Sequence, residues 1–300
     1  MRLSVLGTVM LATIGAALSP ITAAAQTCAA NPNALGVART VEIDTTGSPG
    51  FGFEHYKVHD FLMMKEVVLT FDDGPQKFHT QAVLDALAQH CTKATFFSIG
   101  KMALGYPEII REVAKQGHTI GTHTWSHANL RTKKTEAEAT EEIEKGVSGV
   151  RRALAGPVAP FFRYPYLQDS KATLAHLATR NVAVFSTDID SFDFKLQSAE
   201  HMIKGVLAKL DKKGKGIILM HDVQPGTAKA LPMLLAELKA RGYRIVHLKP
   251  KGELKSLAEY DAMIESSAKG LGTPGAERPT SSVVKTIEPA AAAAVPVKKP

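Results

Sequence analysis

Two adjacent carboxylates, Asp72 and Asp73, close the apolar, β-branched run Val67-Val68-Leu69-Thr70-Phe71 and are followed at once by Gly74-Pro75, a strong turn signal. Neighbouring strand residues project to opposite sides, so two consecutive aspartates at a strand end divide the labour. One is placed to bind a metal ion and the other to act as a base beside it. The same residues also read as an acidic turn capping the next helix, and the pair alone does not separate the two. His123 and His127 add weight to the first reading. Their i,i+4 spacing lets two imidazoles reach one ion from a single turn, and Asp73 completes a His-His-Asp donor set that leaves positions open for water. The spacing by itself is weak, since 11 histidines yield about one such pair by chance. His55 and His59 share it away from any strand-end carboxylate, and read as surface or packing residues.

These groups need a scaffold. Beyond Lys65 short β-rich runs alternate with amphipathic segments, and strands are expected at 67–71, 94–99, 119–122, 160–164, 182–187, 216–221 and 243–248. The first helix, 80–90, carries Val83, Leu84, Leu87 and Ala88 on one face. A second opens at Pro107 and ends at Gly117. Thr135-Glu136-Ala137-Glu138 has capping-box spacing and opens a helix to about 154, stopped by Gly156-Pro157. Helices at 170–180, 198–213 and 227–241 follow. Repeated βα units imply an α/β fold with parallel strands and right-handed crossovers. Seven such units close into a (β/α)7 barrel; an open doubly wound sheet is the alternative.

In a parallel barrel, functional groups collect at the C-terminal strand ends. There the sequence places Asp72-Asp73, His123-Thr124-Trp125-Ser126-His127, Arg163-Tyr164-Pro165-Tyr166, the stretch from Asp188 to Asp193, and His221-Asp222. Thr70-Phe71-Asp72-Asp73-Gly74-Pro75, His123-Thr-Trp-Ser-His127, Arg163-Tyr-Pro-Tyr166, Asp190-Ser-Phe-Asp193-Phe194 and Leu219-Met-His221 resemble, in order, the five motifs of the polysaccharide deacetylases of carbohydrate esterase family four. The resemblance covers 66–248. The chain departs from the pattern at Phe194, where a Trp is usual, and at Tyr164, where a Pro is frequent; both touch the substrate groove.

The resemblance implies a distorted parallel barrel with one divalent metal on Asp73, His123 and His127, and Asp72 as the general base. Zn2+ suits that donor set, which also tolerates Co2+ or Ni2+. Arg163 would pair with Asp72 and hold it ionised. His221 would protonate the leaving amine, with Asp190 as the carboxylate that orients it. The metal and the backbone N–H of Tyr166 would stabilise the oxyanion. Leu219 and Trp125 would wall the pocket, although Trp125 reads equally as a core residue. The implied function is metal-dependent removal of N-acetyl groups from an N-acetylglucosamine-containing glycan: peptidoglycan, chitooligosaccharide or a related envelope polysaccharide. An O-acetyl esterase acting on xylan or another glycan, and a catalytically silent glycan-binding barrel, are the alternatives.

The ends of the chain read differently. Arg2, the apolar run 3–17 and Ala23-Ala24-Ala25 have the layout of a secretory signal peptide covering 1–25, with an apolar core too short to span a membrane. The mature chain is therefore expected to be exported, periplasmic or extracellular, with no integral membrane segment. An oxidising compartment would allow Cys28 and Cys91 to pair, although spacing alone does not bring them together. Residues 26–65 read as a loose N-terminal arm with one or two short strands, 66–250 as the catalytic barrel, and 254–264 as a weak helix within a 251–265 segment. The Pro/Ala/Lys-rich 266–300 has little to bury and reads as a disordered tail. A net charge of +7 in 300 residues is scattered along the chain, compatible with an anionic polymer but not organised for nucleic acid. No nucleophile elbow, phosphate-binding Gly loop or Cys-x-x-Cys pair occurs.

Overall fold

A computed structural model describes residues 31–133, 135–195 and 198–269. The expected signal peptide, Cys28 and the tail beyond 269 lie outside the described residues; Cys91 is disulfide-bonded. Strand β1 (Arg39–Ile43) and β2 (Gly50–Phe51) precede the βα units. There follow β3 (Glu66–Asp72), α1 (His79–Gln89), β4 (Thr95–Ser98), α2 (Gly100–Gly105), α3 (Pro107–Lys115) and β5 (Thr119–Thr122). The chain continues through α4 (Glu136–Leu154), β6 (Phe161–Phe162), α5 (Lys171–Thr179), β7 (Ala183–Phe185), β8 (Ile189–Asp190) and α6 (Ala199–Lys213). It ends with β9 (Gly216–His221), α7 (Pro225–Ala240), β10 (Arg244–Pro250) and α8 (Ala258–Lys269).

All ladders between named strands are parallel. Strands β3 to β7 pair in sequence order, β9 lies on the other side of β3, and β8 pairs with β9. β10 meets only the foot of β3, at Arg244↔Glu66 and Ile245↔Val67, and carries β1 on its far side. The result is a distorted barrel whose wall has a seam: among the described residues no ladder joins β7 to β8. The N-terminal arm spans that seam. β2 pairs with β7, and the Asp188 carboxylate accepts from Phe53 N at 2.7 Å on one side and from Ile217 N at 2.7 Å on the other. The arm is thus paired into the sheet rather than loose.

Alternation along β3 shows how the sequence builds two cores. Val67, Leu69 and Phe71 face outward and join the layer of Leu84, Leu87, Leu231, Leu234 and Leu235 contributed by α1 and α7. Val68 faces inward with Phe97, Phe161, Phe185, Ile217, Val246 and Leu248. Strands covered on both faces read as continuous apolar runs, as these do.

Local signals act where expected. Thr135 and Glu138 form a reciprocal capping box at the start of α4, Pro107 opens α3, and Gly117 adopts φ 83° beyond its end. Two features differ from expectation. α4 stops because Ala155, one residue before Gly156, takes the left-handed conformation. Leu254 bridges to Val158, so the C-terminal helix starts only at Ala258. Among the described residues no helix is long and apolar enough to cross a membrane.

Candidate active site

Strand register brings the polar strand ends together. Asp72 lies level with Phe97 of β4 and with His221 of β9, and Asp190 lies level with Leu219. A cavity of about 380 Å³ at this end is lined by Asp72, Asp73, His123, His127, Tyr166, Leu219 and His221, and by Asp190, Tyr164 and Phe194 around them.

Asp72 points inward as the last residue of β3, while Asp73 turns away from the strand with φ 78°. Asp73 Oδ1 stands 3.5 Å from His123 Nε2 and 3.4 Å from His127 Nε2, and all three donor atoms lie within 4.8 Å of one another. This carboxylate oxygen is buried without a hydrogen-bond partner. An orphaned acceptor facing two imidazole nitrogens is what a cation site requires and what a polar core avoids. The His123 tautomer agrees: Nδ1 donates to the Arg163 carbonyl at 2.7 Å, leaving Nε2 bare. Burial, reinforced by the neighbouring His127, holds the His123 imidazole well below its ordinary pKa and so keeps it neutral. The residues present therefore fit a divalent ion.

The loop carrying both histidines is braced by α4. Ser126 donates through its backbone N (3.0 Å) and its hydroxyl (2.8 Å) to the Glu142 carboxylate. A Cβ on Gly146 would fall 2.6 Å from the Thr124 carbonyl carbon, so the helix can pass this close only with glycine there. Thr124 and Trp125 carbonyls in turn accept from the N–H groups of Gly100 and Lys101, which open α2. Trp125 does not wall the pocket. Its ring is buried against Gly100 and Gly149, flanked by Lys101 and Lys145. The loop turns through left-handed residues at Thr124 and His127, which sends the intervening ring into the core.

Arg163 is fully buried beneath the cavity floor. It donates to Asp72 Oδ1 (2.7 Å), Thr70 Oγ1 (2.7 Å), and the carbonyls of Phe185 (3.2 Å) and Ser186 (2.8 Å), with its guanidinium 4.4 Å from the Phe97 ring centroid. Burial pushes the Asp72 carboxyl up, Arg163 and His221 pull it down, and the net shift is upward. Asp72 is thus a stronger base than an ordinary aspartate, although paired.

On the opposite wall the carboxylate on His221 is Asp193, where the resemblance implies Asp190. Asp193 Oδ1 meets His221 Nδ1 at 2.7 Å, and its Oδ2 accepts from His221 N at 2.6 Å and from the Thr227 hydroxyl. Asp190 instead accepts from Phe192 N at 2.8 Å and lines the cavity, its carboxyl raised by burial. Phe192 has φ 53°, and the turn it makes swings Asp193 under the histidine. Burial opposes charge on His221, but Asp193, with Asp73 and Asp72 beyond it, outweighs burial and pushes the ring up to about 10. Phe194, in place of the usual Trp, packs edge-on against His221 at 5.8 Å.

One further residue supports the site without being singled out from sequence. Asp222 is buried, accepts from Gly74 N (3.0 Å) and from the Thr80 hydroxyl (2.5 Å), and ties the Asp72-Asp73 turn to the start of α1. A side chain on Gly74 would run into that carboxylate. Tyr166, at φ 58° and 61% exposed, rests its ring 4.8 Å from that of His127.

The polysaccharide deacetylase family profile matches residues 63–184. A peptidoglycan-N-acetylglucosamine deacetylase of Bacillus cereus is 37% identical over 187 residues, covering 61% of this chain and 66% of that protein. A chitooligosaccharide deacetylase of Bradyrhizobium is 32% identical, covering 60% of this chain and 88% of that one. Among solved structures, a Bdellovibrio bacteriovorus peptidoglycan deacetylase superposes with a TM-score of 0.66 at 36% identity, over 74% of this chain and 61% of its own. The chain thus spans just under two thirds of the Bacillus cereus and Bdellovibrio proteins and most of the rhizobial one, and it belongs to the polysaccharide deacetylase family.

Proposed function

We propose that this protein is a metal-dependent hydrolase that removes N-acetyl groups from an N-acetylglucosamine-containing glycan outside the cytoplasm. One observation carries this reading: a base, three metal donors and an acid face one 380 Å³ cavity from neighbouring strand ends. Asp73, His123 and His127 would hold the ion, Zn2+ by donor type. Bound there, it supplies Lewis acidity, polarising a carbonyl and bringing the pKa of water to about 7. Asp72, more basic than an ordinary aspartate and oriented by Arg163, takes the proton of the water that attacks the acetyl carbon. The Tyr166 N–H donates to the oxygen where negative charge develops. His221, held protonated by Asp193, delivers its proton to the departing nitrogen; the C–N bond breaks, leaving acetate and a free amine. An acid kept this firmly charged suits an amide better than an ester, whose leaving oxygen needs no such help. Export rests on residues 1–25 alone.

Acetate release from N-acetylglucosamine oligomers and from peptidoglycan, with and without a chelator, tests the reading. Asp72→Asn is expected to keep the metal and lose roughly a hundredfold or more in turnover. Asp73→Asn should lose metal first, with activity partly restored by excess metal. Absence of acetate from both substrates, or metal loss in Asp72→Asn but not in Asp73→Asn, overturns it.

A further inference from the structure

We infer that Asp222, which lies beyond the last of the five motifs, is a positioning residue for Asp73: it holds the turn after β3 in the conformation that keeps Oδ1 of Asp73 beside His123 and His127. This rests on the reading of those three residues as metal donors and adds a residue to it. Asp73 sits at φ 78°, a left-handed conformation that a residue with a side chain adopts only at a cost, so the surrounding structure must enforce it. An account of the N–H groups in the turn shows what does. Asp73 N donates to the Phe97 carbonyl at 3.2 Å, and Pro75 has no N–H to place. Gly74 N donates to Asp222 Oδ1 at 3.0 Å, and Gln76 N donates to the Thr80 hydroxyl at 2.7 Å. That hydroxyl passes its own proton to Asp222 Oδ2 at 2.5 Å. One carboxylate therefore receives both donors that follow Asp73, the first directly and the second through Thr80.

Packing leaves the turn little freedom to settle elsewhere. A Cβ on Gly74 would lie 2.0 Å from Asp222 Oδ2, so the carboxylate is seated directly against that α-carbon. Asp222 is 1% exposed and Thr80 is fully buried, so loss of the carboxylate leaves Gly74 N and the Thr80 hydroxyl unpaired away from solvent. A second stitch lies alongside, where His79 Nδ1 donates to the Val223 carbonyl at 2.9 Å. Residues 221–223 thus carry the proton donor, the clamp on Gly74 and the acceptor for His79 in succession. The half of the site that holds the metal donors is fastened to the half that holds His221 at this one joint. Glu66 gives the contrast. It is equally buried and engaged by Arg39 (2.9 and 2.7 Å) and Met63 N (2.8 Å), but at the foot of β3, where it fastens the arm and touches no donor.

The test measures, on the full chain, Zn2+ affinity by competition with a chromophoric chelator, the visible spectrum of the Co2+-loaded protein, and the melting temperature of the metal-free protein. Asp222→Ala should weaken Zn2+ binding by roughly tenfold or more and alter the Co2+ spectrum, the size of effect expected when a partner behind a metal donor is removed. Asp222→Asn, whose carbonyl oxygen can still accept from Gly74 N, should recover most of the affinity. Glu66→Gln should lower the melting temperature with Zn2+ affinity and Co2+ spectrum unchanged. If Asp222→Ala does not fold, Thr80→Val takes its place; it removes the acceptor of Gln76 N and one donor to Asp222, and should weaken Zn2+ binding by about threefold to tenfold. Wild-type affinity and spectrum in the folded variant, or equal weakening in Glu66→Gln, overturns the inference and leaves Asp222 a residue of the fold alone. If the wild type takes up neither Zn2+ nor Co2+, the metal reading itself fails and the inference falls with it.

Discussion

β5 is flanked by a buried histidine at each end, and the two have opposite fates. His123, at the C-terminal end, faces His127 and the orphaned Oδ1 of Asp73. His118, at the foot, accepts from Ala94 N through Nδ1 at 3.1 Å and forms no ion pair with a carboxylate among the described residues. Its surroundings are His247, which meets the Thr119 hydroxyl at 3.1 Å, and Lys93. Burial, with Lys93 beside it, pushes His118 down to about 3; burial, with Lys249 and Lys93, pushes His247 down to about 4. Both ends therefore keep their imidazoles neutral by desolvation. Only at the upper end does neutrality expose lone pairs to one another around an acidic oxygen. A buried neutral histidine is thus not a ligand by itself; a converging set of donors makes it one.

The sharpest break in this comparison comes from removing one histidine at each end. His123→Ala should lose bound metal and at least about a hundredfold in turnover. His118→Asn should keep both, as read by metal content and acetate release. Equal metal loss in the two variants would erase the distinction.

A smaller effect separates His221 from all of these. Its partner is a carboxylate, and its pKa moves up rather than down. A proton donor raised to about 10 stays loaded through neutral pH and empties only on the alkaline side. Asp193→Asn should lower turnover by roughly tenfold to a hundredfold and draw the alkaline limb of the pH–rate profile to lower pH. Asp190→Asn should leave that limb in place. A shift in the Asp190 variant but not in the Asp193 variant would reverse the pairing seen here.

The smallest effect is on stability and belongs to the foot. An imidazole whose pKa is lower in the folded than in the unfolded chain stabilises the fold fully above about pH 6.5, and the contribution is lost as pH falls toward 3 to 4. Melting temperature should drop on acidification through that window. Replacing His118 and His247 together by Gln should flatten the drop by a few degrees, about 2–4 °C per kcal/mol for a chain of this size.

How much of this was legible beforehand follows from the physics of each signal. Each of the seven strands expected from apolar, β-branched runs coincides with an observed one, because strands covered on both faces write long apolar runs. β8 and α2 are two and six residues long, too short to show a period. The strand-end motifs gave the residues that line the cavity, yet not which carboxylate holds His221. Asp190 and Asp193 flank a left-handed turn at Phe192, and spacing carries no information about which of them swings under the ring. Trp125 was ambiguous for a related reason: alternation fails on a loop with two left-handed residues, and the glycines that seat its ring lie on α2 and α4. Asp222 followed His221 in plain view, but its partner Gly74 lies far away in sequence.

The pairing of β1 with β10 bears on how this chain reaches its fold. The first strand of the arm finds its partner in the last strand of the barrel, and the ion pair between Lys251 and Asp44 joins residues 207 positions apart. A chain leaving the ribosome N-terminus first must hold β1 unpaired until β10 has been made. The Asp188 bridge likewise waits for β9 before both of its oxygens are engaged. Loop closure over such distances is entropically costly and comes before the contacts that reward it, which makes closure of the foot a late event in synthesis and a slow one in refolding. Until then an unpaired edge and the apolar faces of β1 and β2 stand open to other chains, so dilute conditions should favour recovery of the native barrel after denaturation.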